Sequence, residues 1–312
     1  MGDCVENTLS GDATPNLFLV GAPKCGTTSM YEYLRQHPQI FFPVDENDYW
    51  RSKEPNHLCP ELEIQEKYSI KDRRDYLNLY TGSEGAAWRG DASPYYLFSE
   101  SAPERIKQLC PNARILVMLR PPVEMMRSYH RDLLRIHLDD TVDFYDAINA
   151  GVDRKGGLFI RHPGRRPKYL DYFSISRFAP QVQRYQQIFG RASIKVVLLE
   201  DMVAVPEKTF SEILAFLEVE SSFRPDLRVH NETPRHGILE RVVTSVYEHP
   251  AVRRVTQIIL PYAVRRKFLS FIRRAERGIA RPDQRDGKLR ELCRADVERL
   301  STLIGRDLSH WQ

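Results

Sequence analysis

The run Asn16-Leu17-Phe18-Leu19-Val20-Gly21-Ala22-Pro23-Lys24-Cys25-Gly26-Thr27-Thr28-Ser29-Met30 constrains this chain more than any other. A short apolar stretch, 17–20, reads as a strand. It feeds a turn holding two glycines, a proline and a lysine, and three consecutive hydroxyl residues then open a helix over 27–36 that His37-Pro38 ends. Strand, loop and helix in this order form an anion cradle. The amides of a first helical turn have no intrahelical partner and are free to face a phosphate. Glycine lets the main chain come close, and lysine adds a full positive charge. The plainer alternative is a turn whose Thr and Ser only cap the helix.

The spacing narrows the anion. A Walker A loop reads G-x-x-x-x-G-K-[ST]. Gly21 and Gly26 have that separation, but Thr27 stands where the lysine belongs, and the lysine sits inside the loop at Lys24. Such a loop lacks the group that reaches the β and γ phosphates. This argues against a P-loop nucleotide or small-molecule kinase, which stays as the alternative enzyme. A third reading is a non-catalytic binding protein that keeps the fold.

The rest of the chain reads as alternating α and β. Residues 87–91 suggest a short strand and 103–110 a helix. Arg114–Leu119 is an apolar run of the kind found in central parallel strands, and 123–138 is helical. A helix over 177–189 precedes a strand at 194–199. Strands alternating with helices predict an α/β fold, a central parallel sheet flanked by helices with ligands at the carboxyl ends of its strands.

Gly21-Ala22-Pro23-Lys24-Cys25-Gly26-Thr27-Thr28-Ser29 resembles the 5′-phosphosulfate loop of sulfotransferases that use PAPS (3′-phosphoadenosine 5′-phosphosulfate). Arg114-Ile115-Leu116-Val117-Met118-Leu119-Arg120-Pro121-Pro122, followed by Ser128, resembles that family's 3′-phosphate element. The family often carries a further arginine in that turn, where this chain has Met125, with Arg127 nearby. Ile194-Lys195-Val196-Val197-Leu198-Leu199-Glu200-Asp201 is similar to the family's late core strand, 210–219 to the helix after it, and 289–311 to its closing helix. The resemblance implies a P-loop-like sulfotransferase fold over 16–312 as one domain, after a tail at 1–15.

It also implies the chemistry: O-sulfation of a carbohydrate, lipid or other small metabolite, with PAPS as co-substrate, PAP as product and no metal. Lys24 would stabilise the departing phosphate. Cys25, Gly26, Thr27, Thr28 and Ser29 would hold the 5′-phosphate, and Arg120 with Ser128 the 3′-phosphate. Tyr49-Trp50-Arg51-Ser52-Lys53-Glu54-Pro55-Asn56-His57-Leu58 looks like the Lys-Glu segment of heparan-type and bacterial sulfotransferases, which makes Glu54 the base and puts Lys53 near the transferring group or acceptor. His57 and His130 are competing bases, read as a polar neighbour and a helix-surface residue. Gly90-Asp91-Ala92-Ser93-Pro94-Tyr95-Tyr96 resembles a segment that usually reads acidic-Lys-Ser/Thr-Pro-x-Tyr. Ala92 replaces that lysine, which weakens a heparan-like acceptor, and Ser93 is expected to shape the site or touch the acceptor.

Composition sets outer limits. Hydrophobic content of 42%, charged content of 28% and a net charge of +4 over 312 residues describe a globular chain suited to an anionic co-substrate without calling for nucleic acid. Five scattered cysteines with no C-x-x-C pair, no signal peptide and no apolar run of about 20 residues give a soluble, cytoplasmic expectation. Two stretches, near 45–90 and 153–172, read as acceptor-gating loops, the second carrying Arg161, Arg165, Arg166 and Lys168. The basic, apolar-clustered stretch 252–281 is open to three uses: packing on the sheet, peripheral contact with an anionic membrane, or a homodimer interface.

Overall fold

Unbroken apolar runs make central strands when both faces are covered, and two such runs form the middle of this molecule. The computed structural model describes residues 14–136, 138, 139, 141–155, 168, 171–227 and 284–312. Five described strands, β1 (Leu17–Leu19), β2 (Ile40–Phe41), β3 (Trp88–Asp91), β4 (Arg114–Leu119) and β5 (Ile194–Leu198), pair in parallel in the order β2-β3-β1-β4-β5. Leu17, Phe18 and Leu19 of β1 and Ile115, Leu116, Val117 and Leu119 of β4 are fully buried.

Chain order turns at β1. Its crossovers lead to β2 and β3 on one side, and to β4 and β5 on the other. A reversal of that kind opens a crevice beyond the carboxyl ends of the flanking strands. Here those strands are β1 and β4. The ladder between them runs past β1 into the loop, with the Val20 amide donating to Leu116 O at 3.0 Å and the Ala22 amide to Met118 O at 2.6 Å. The first residues of the anion loop are therefore fixed to β4.

Helices cover the sheet. α1 (Thr27–Leu34) follows β1, α2 (Tyr49–Lys53) and α3 (Arg73–Asn78) lie between β2 and β3, and α4 (Ala102–Leu109) precedes β4. α5 (Pro122–Arg135) follows β4 and buries Val123, Met125, Met126, Tyr129, His130, Leu133 and Leu134. This corrects the placing of His130 on a helix surface. It lies four residues past Met126 and three before Leu133, on the apolar face, and its Nε2 is 2.7 Å from Thr141 O. α6 (Phe144–Lys155), α7 (Tyr172–Ser176) and α8 (Phe178–Phe189) lead to β5, and α9 (Leu199–Ala204) and α10 (Pro206–Phe216) follow it.

Residues 45–90 hold more order than their weak periodicity suggests. Leu62, Ile64, Ile70, Tyr76 and Tyr80 from this stretch all reach the core. Leu62 and Tyr76 sit on short helical turns and Ile64, Ile70 and Tyr80 lie between elements, so no period shows. After α11 (Gln284–Ile304), the segment to Trp311 returns to the carboxyl end of β5. Arg306 pairs with Asp201 at 3.0 Å, and the Trp311 indole donates to the Glu200 carboxylate at 3.0 and 3.1 Å. No helix among the described residues is long and apolar enough to cross a membrane. Most of the 1–15 tail, Arg161, Arg165 and Arg166 of the second gating loop, and the whole of 252–281 lie outside the described residues.

Candidate active site

The anion loop is shaped by three residues with positive φ: Gly21 at 135°, Lys24 at 64° and Gly26 at 87°. A Cβ on Gly21 would lie 2.2 Å from Pro94 O, and one on Gly26 would lie 2.7 Å from Leu199 Cδ1. The two glycines thus let the underside of the loop press against its neighbours. α1 begins at Gly26 with no side-chain cap and no acidic residue in its first turn. Such a terminus favours an anion through its free amides and its dipole. Thr27 is buried, while Thr28 and Ser29 are half-buried. The Cys25 thiol is fully buried, and burial pushes its pKa up to about 12. Among the expected loop contacts, Cys25 therefore has only its main chain to offer.

Arg120, just past β4, donates from Nη1 to Lys24 O at 3.3 Å, which joins the loop after β1 to the turn after β4. Its Nε is buried and has no hydrogen-bond partner among the described residues. An orphaned guanidinium donor is costly in a folded interior and fits an anion absent from the protein atoms. Ser128 is half-buried on α5. Met125 is core, and Arg127 is committed elsewhere: it pairs with Asp286 and donates to the Tyr145 hydroxyl at 3.1 Å. Neither residue supplies the further arginine of the 3′-phosphate turn. Lys24 Nζ lies 3.3 Å from Asp132 Oδ2, an acid that sequence reading did not select.

The second half of the site comes from α2. Lys53 is 1% exposed, its ammonium 5.8 Å from the Tyr31 ring centroid and 5.4 Å from that of Trp50. It donates to Glu54 Oε1, and the Glu54 side chain keeps 21% of its surface open. A buried ammonium needs such a partner, since burying an unpaired charge costs several kcal/mol. The Tyr95 hydroxyl lies 3.0 Å from that of Tyr129 on α5. Burial lifts its pKa well above the ordinary phenol value, and the negative charges of Asp132 and Glu54 both add to the rise. Both carboxylates therefore act on one hydroxyl.

Ser93 sits behind this centre, fully buried. Its hydroxyl donates to Asp91 Oδ1 at 2.6 Å and accepts from the Asn56 amide at 3.0 Å. Asn56 in turn donates from Nδ2 to Glu54 O at 2.9 Å. Both sides of the Ser93 hydroxyl are taken, so it shapes the wall and leaves no surface for an acceptor. Asp91 also receives the Tyr76 and Tyr96 hydroxyls at 2.8 and 2.9 Å, yet burial raises its pKa to about 6. His57 stacks on Tyr76 at 4.4 Å with Nδ1 3.0 Å from Ile70 O, and burial lowers its pKa. Among the described residues no group of His, Cys, Asp or Glu could hold a metal ion.

Sequence reading missed Asp132, Tyr95 and Asp91. For Asp132 a signal was present, because it stands four residues after Ser128 and so on the same helix face. For Tyr95 the signal was its place beside Ser93 in a quoted motif.

Comparison with known proteins adds to this geometry. A family model described as "Sulfotransferase family" matches residues 15–154. The chain is similar to carbohydrate sulfotransferase 15 of Homo sapiens, 20% identical over 246 residues that cover 66% of this chain and 44% of that protein. It is also similar to bifunctional heparan sulfate N-deacetylase/N-sulfotransferase 1 of Mus musculus, 26% identical over 218 residues that cover 68% of this chain and 23% of that protein. The chain thus spans less than half the length of these curated relatives. A solved sulfotransferase structure from Alicyclobacillus acidocaldarius superposes with a TM-score of 0.65 at 28% identity, covering 96% of this chain and 99% of that one.

Proposed function

Because this chain belongs to the sulfotransferase family, we propose that it moves a sulfuryl group from PAPS to an acceptor hydroxyl and releases PAP. The observation that carries this reading is the junction of Arg120 with the Lys24 main chain, together with the orphaned Arg120 Nε. Two anion-seeking elements meet there, as a donor with phosphates at both ends requires. Gly26, Thr27, Thr28 and Ser29 would hold the 5′-phosphate from the open α1 terminus, with Cys25 adding its amide. Arg120 and Ser128 would hold the 3′-phosphate. PAPS supplies an activated sulfuryl group whose bond to the 5′-phosphate breaks as the acceptor oxygen bonds to sulfur.

The protein's part is positioning and charge. Lys24 stabilises negative charge on the departing phosphate. Glu54 takes the acceptor proton, typically worth ~10²–10⁴ in rate. Lys53 is a positioning residue: it holds Glu54 Oε1, which leaves Oε2 for the proton. His57 is a poorer base, since its Nδ1 faces a main-chain carbonyl and its ring is held on Tyr76. Acceptor selection belongs to residues 45–90 around α2, and to 153–172. The relatives' names speak of carbohydrate and heparan sulfate, so a carbohydrate hydroxyl is the first acceptor to test.

A thermal-shift titration of PAP against ATP tests the donor. PAP should stabilise the protein and ATP should not; the opposite result favours the kinase alternative and refutes this reading. With PAPS and a screen of hydroxylated acceptors, Glu54→Gln should lose transfer by at least about a hundredfold while PAP binding stays intact. Undiminished turnover would remove Glu54 as the base.

A further inference from the structure

We propose that Asp132 is the resting counter-ion of Lys24, and that a phosphate-bearing donor must draw the lysine away from it; this rests on the donor reading above. Asp132 divides its two oxygens. Oδ2 faces Lys24 Nζ at 3.3 Å, while Oδ1 accepts from Arg135 Nε at 3.0 Å and Nη2 at 2.7 Å. The loop cation is therefore neutralised before any anion arrives.

The partnership is built to be broken. The Lys24 and Asp132 side chains keep 34% and 23% of their surface open, so water reaches the pair and screens it. Lysine is a point charge on a flexible stem and can exchange one anion for another without rebuilding a fixed fork. Arg135, on the same helix as Asp132, stays behind to hold the carboxylate. Asp132 also adds negative charge at the Tyr95 hydroxyl, as Glu54 does. Beside the loop lysine, its fixed negative charge opposes an incoming anion until the lysine turns.

Substitutions of opposite sign test this. Asp132→Asn removes the competitor and should tighten PAP about two- to fivefold, the range expected for an exposed ion pair. Arg135→Gln removes the other partner of the carboxylate, strengthens its hold on Lys24, and should weaken PAP about twofold. Calorimetric titration of the whole protein reads both affinities, and circular dichroism melts check that each variant is folded. High salt should shrink both effects. An Asp132→Asn protein that binds PAP no better than the parent overturns the proposal. So does a pair of variants that both bind more weakly, since that is what a merely structural acid would give. Should Asp132→Asn fail to fold, Arg135→Gln decides alone, with unchanged or tighter PAP refuting the idea. A parent protein that does not bind PAP refutes the donor assignment itself, a separate failure.

Discussion

Replacing Ser93 with alanine should cost far more than a lone buried hydroxyl suggests. The hydroxyl closes two contacts at once, one to the Asp91 carboxylate at 2.6 Å and one from the Asn56 amide at 3.0 Å. Losing a hydrogen bond to a charged group costs roughly 1.5–3 kcal/mol, and leaving a buried amide unsatisfied roughly 1–3 kcal/mol. The variant should therefore lose about 3–5 kcal/mol, a large part of the stability of an ordinary domain. The loss should also depend on pH. Burial raises Asp91 from 3.8 to about 6, and the Ser93 hydroxyl is foremost among the groups that restrain the rise. Between those values the native state holds a proton that the unfolded chain has released, so this group's contribution falls as pH climbs through the window and is level above it. Without Ser93 the window extends to higher pH. Urea unfolding followed by tryptophan fluorescence should show a larger deficit near about pH 7.5 than near about pH 5. Because Asn56 holds the Glu54 carbonyl, transfer should suffer more than PAP binding. A deficit below about 1 kcal/mol at both pH values, or a larger one in acid, would refute this account of the cluster.

Gly26→Ala forces a side chain into a left-handed backbone and against Leu199. It should lower stability by about 1–2 kcal/mol and weaken PAP binding, read by melting and titration. The Cys25 thiol, buried and raised to about 12, should resist iodoacetamide in mildly alkaline buffer until the protein is unfolded, as mass spectrometry of the alkylated peptide would show.

What could be read from the sequence was what local patterning encodes. β1 and β4 were legible because strands covered on both faces must be apolar throughout, and the loop between β1 and α1 because positive φ and free amides need particular residues. β2 was not, since Ile40–Phe41 is two residues long and has no period to show. The ordered stretch between β2 and β3 was read as loop for a related reason: its buried side chains hang on short helical turns or lie between elements. His130 was misplaced because a polar residue on an apolar helix face can be satisfied by one distant carbonyl. The Lys53–Glu54 pair was found through resemblance, not pattern, since adjacent opposite charges are commonplace. Asp132 escaped because its partner lies on another element.

The return of Trp311 and Arg306 to Glu200 and Asp201 has a consequence for how the molecule is assembled. Leu199, the residue just before that acidic pair, lies over the Cα of Gly26. The support beneath the anion loop is thus tied to a segment that lies 105 to 111 residues further along the chain. Contacts so distant along a chain form slowly, since the entropy of closing the intervening loop is lost before the contact repays it. The sheet closes loops of similar length, with Leu17 beside Arg114 and Ile115 beside Ile194, but the anion loop gains its full support only once the far segment has docked as well. Partial unfolding at that far segment would be felt first as a slackened grip on phosphate, with the central strands still in place.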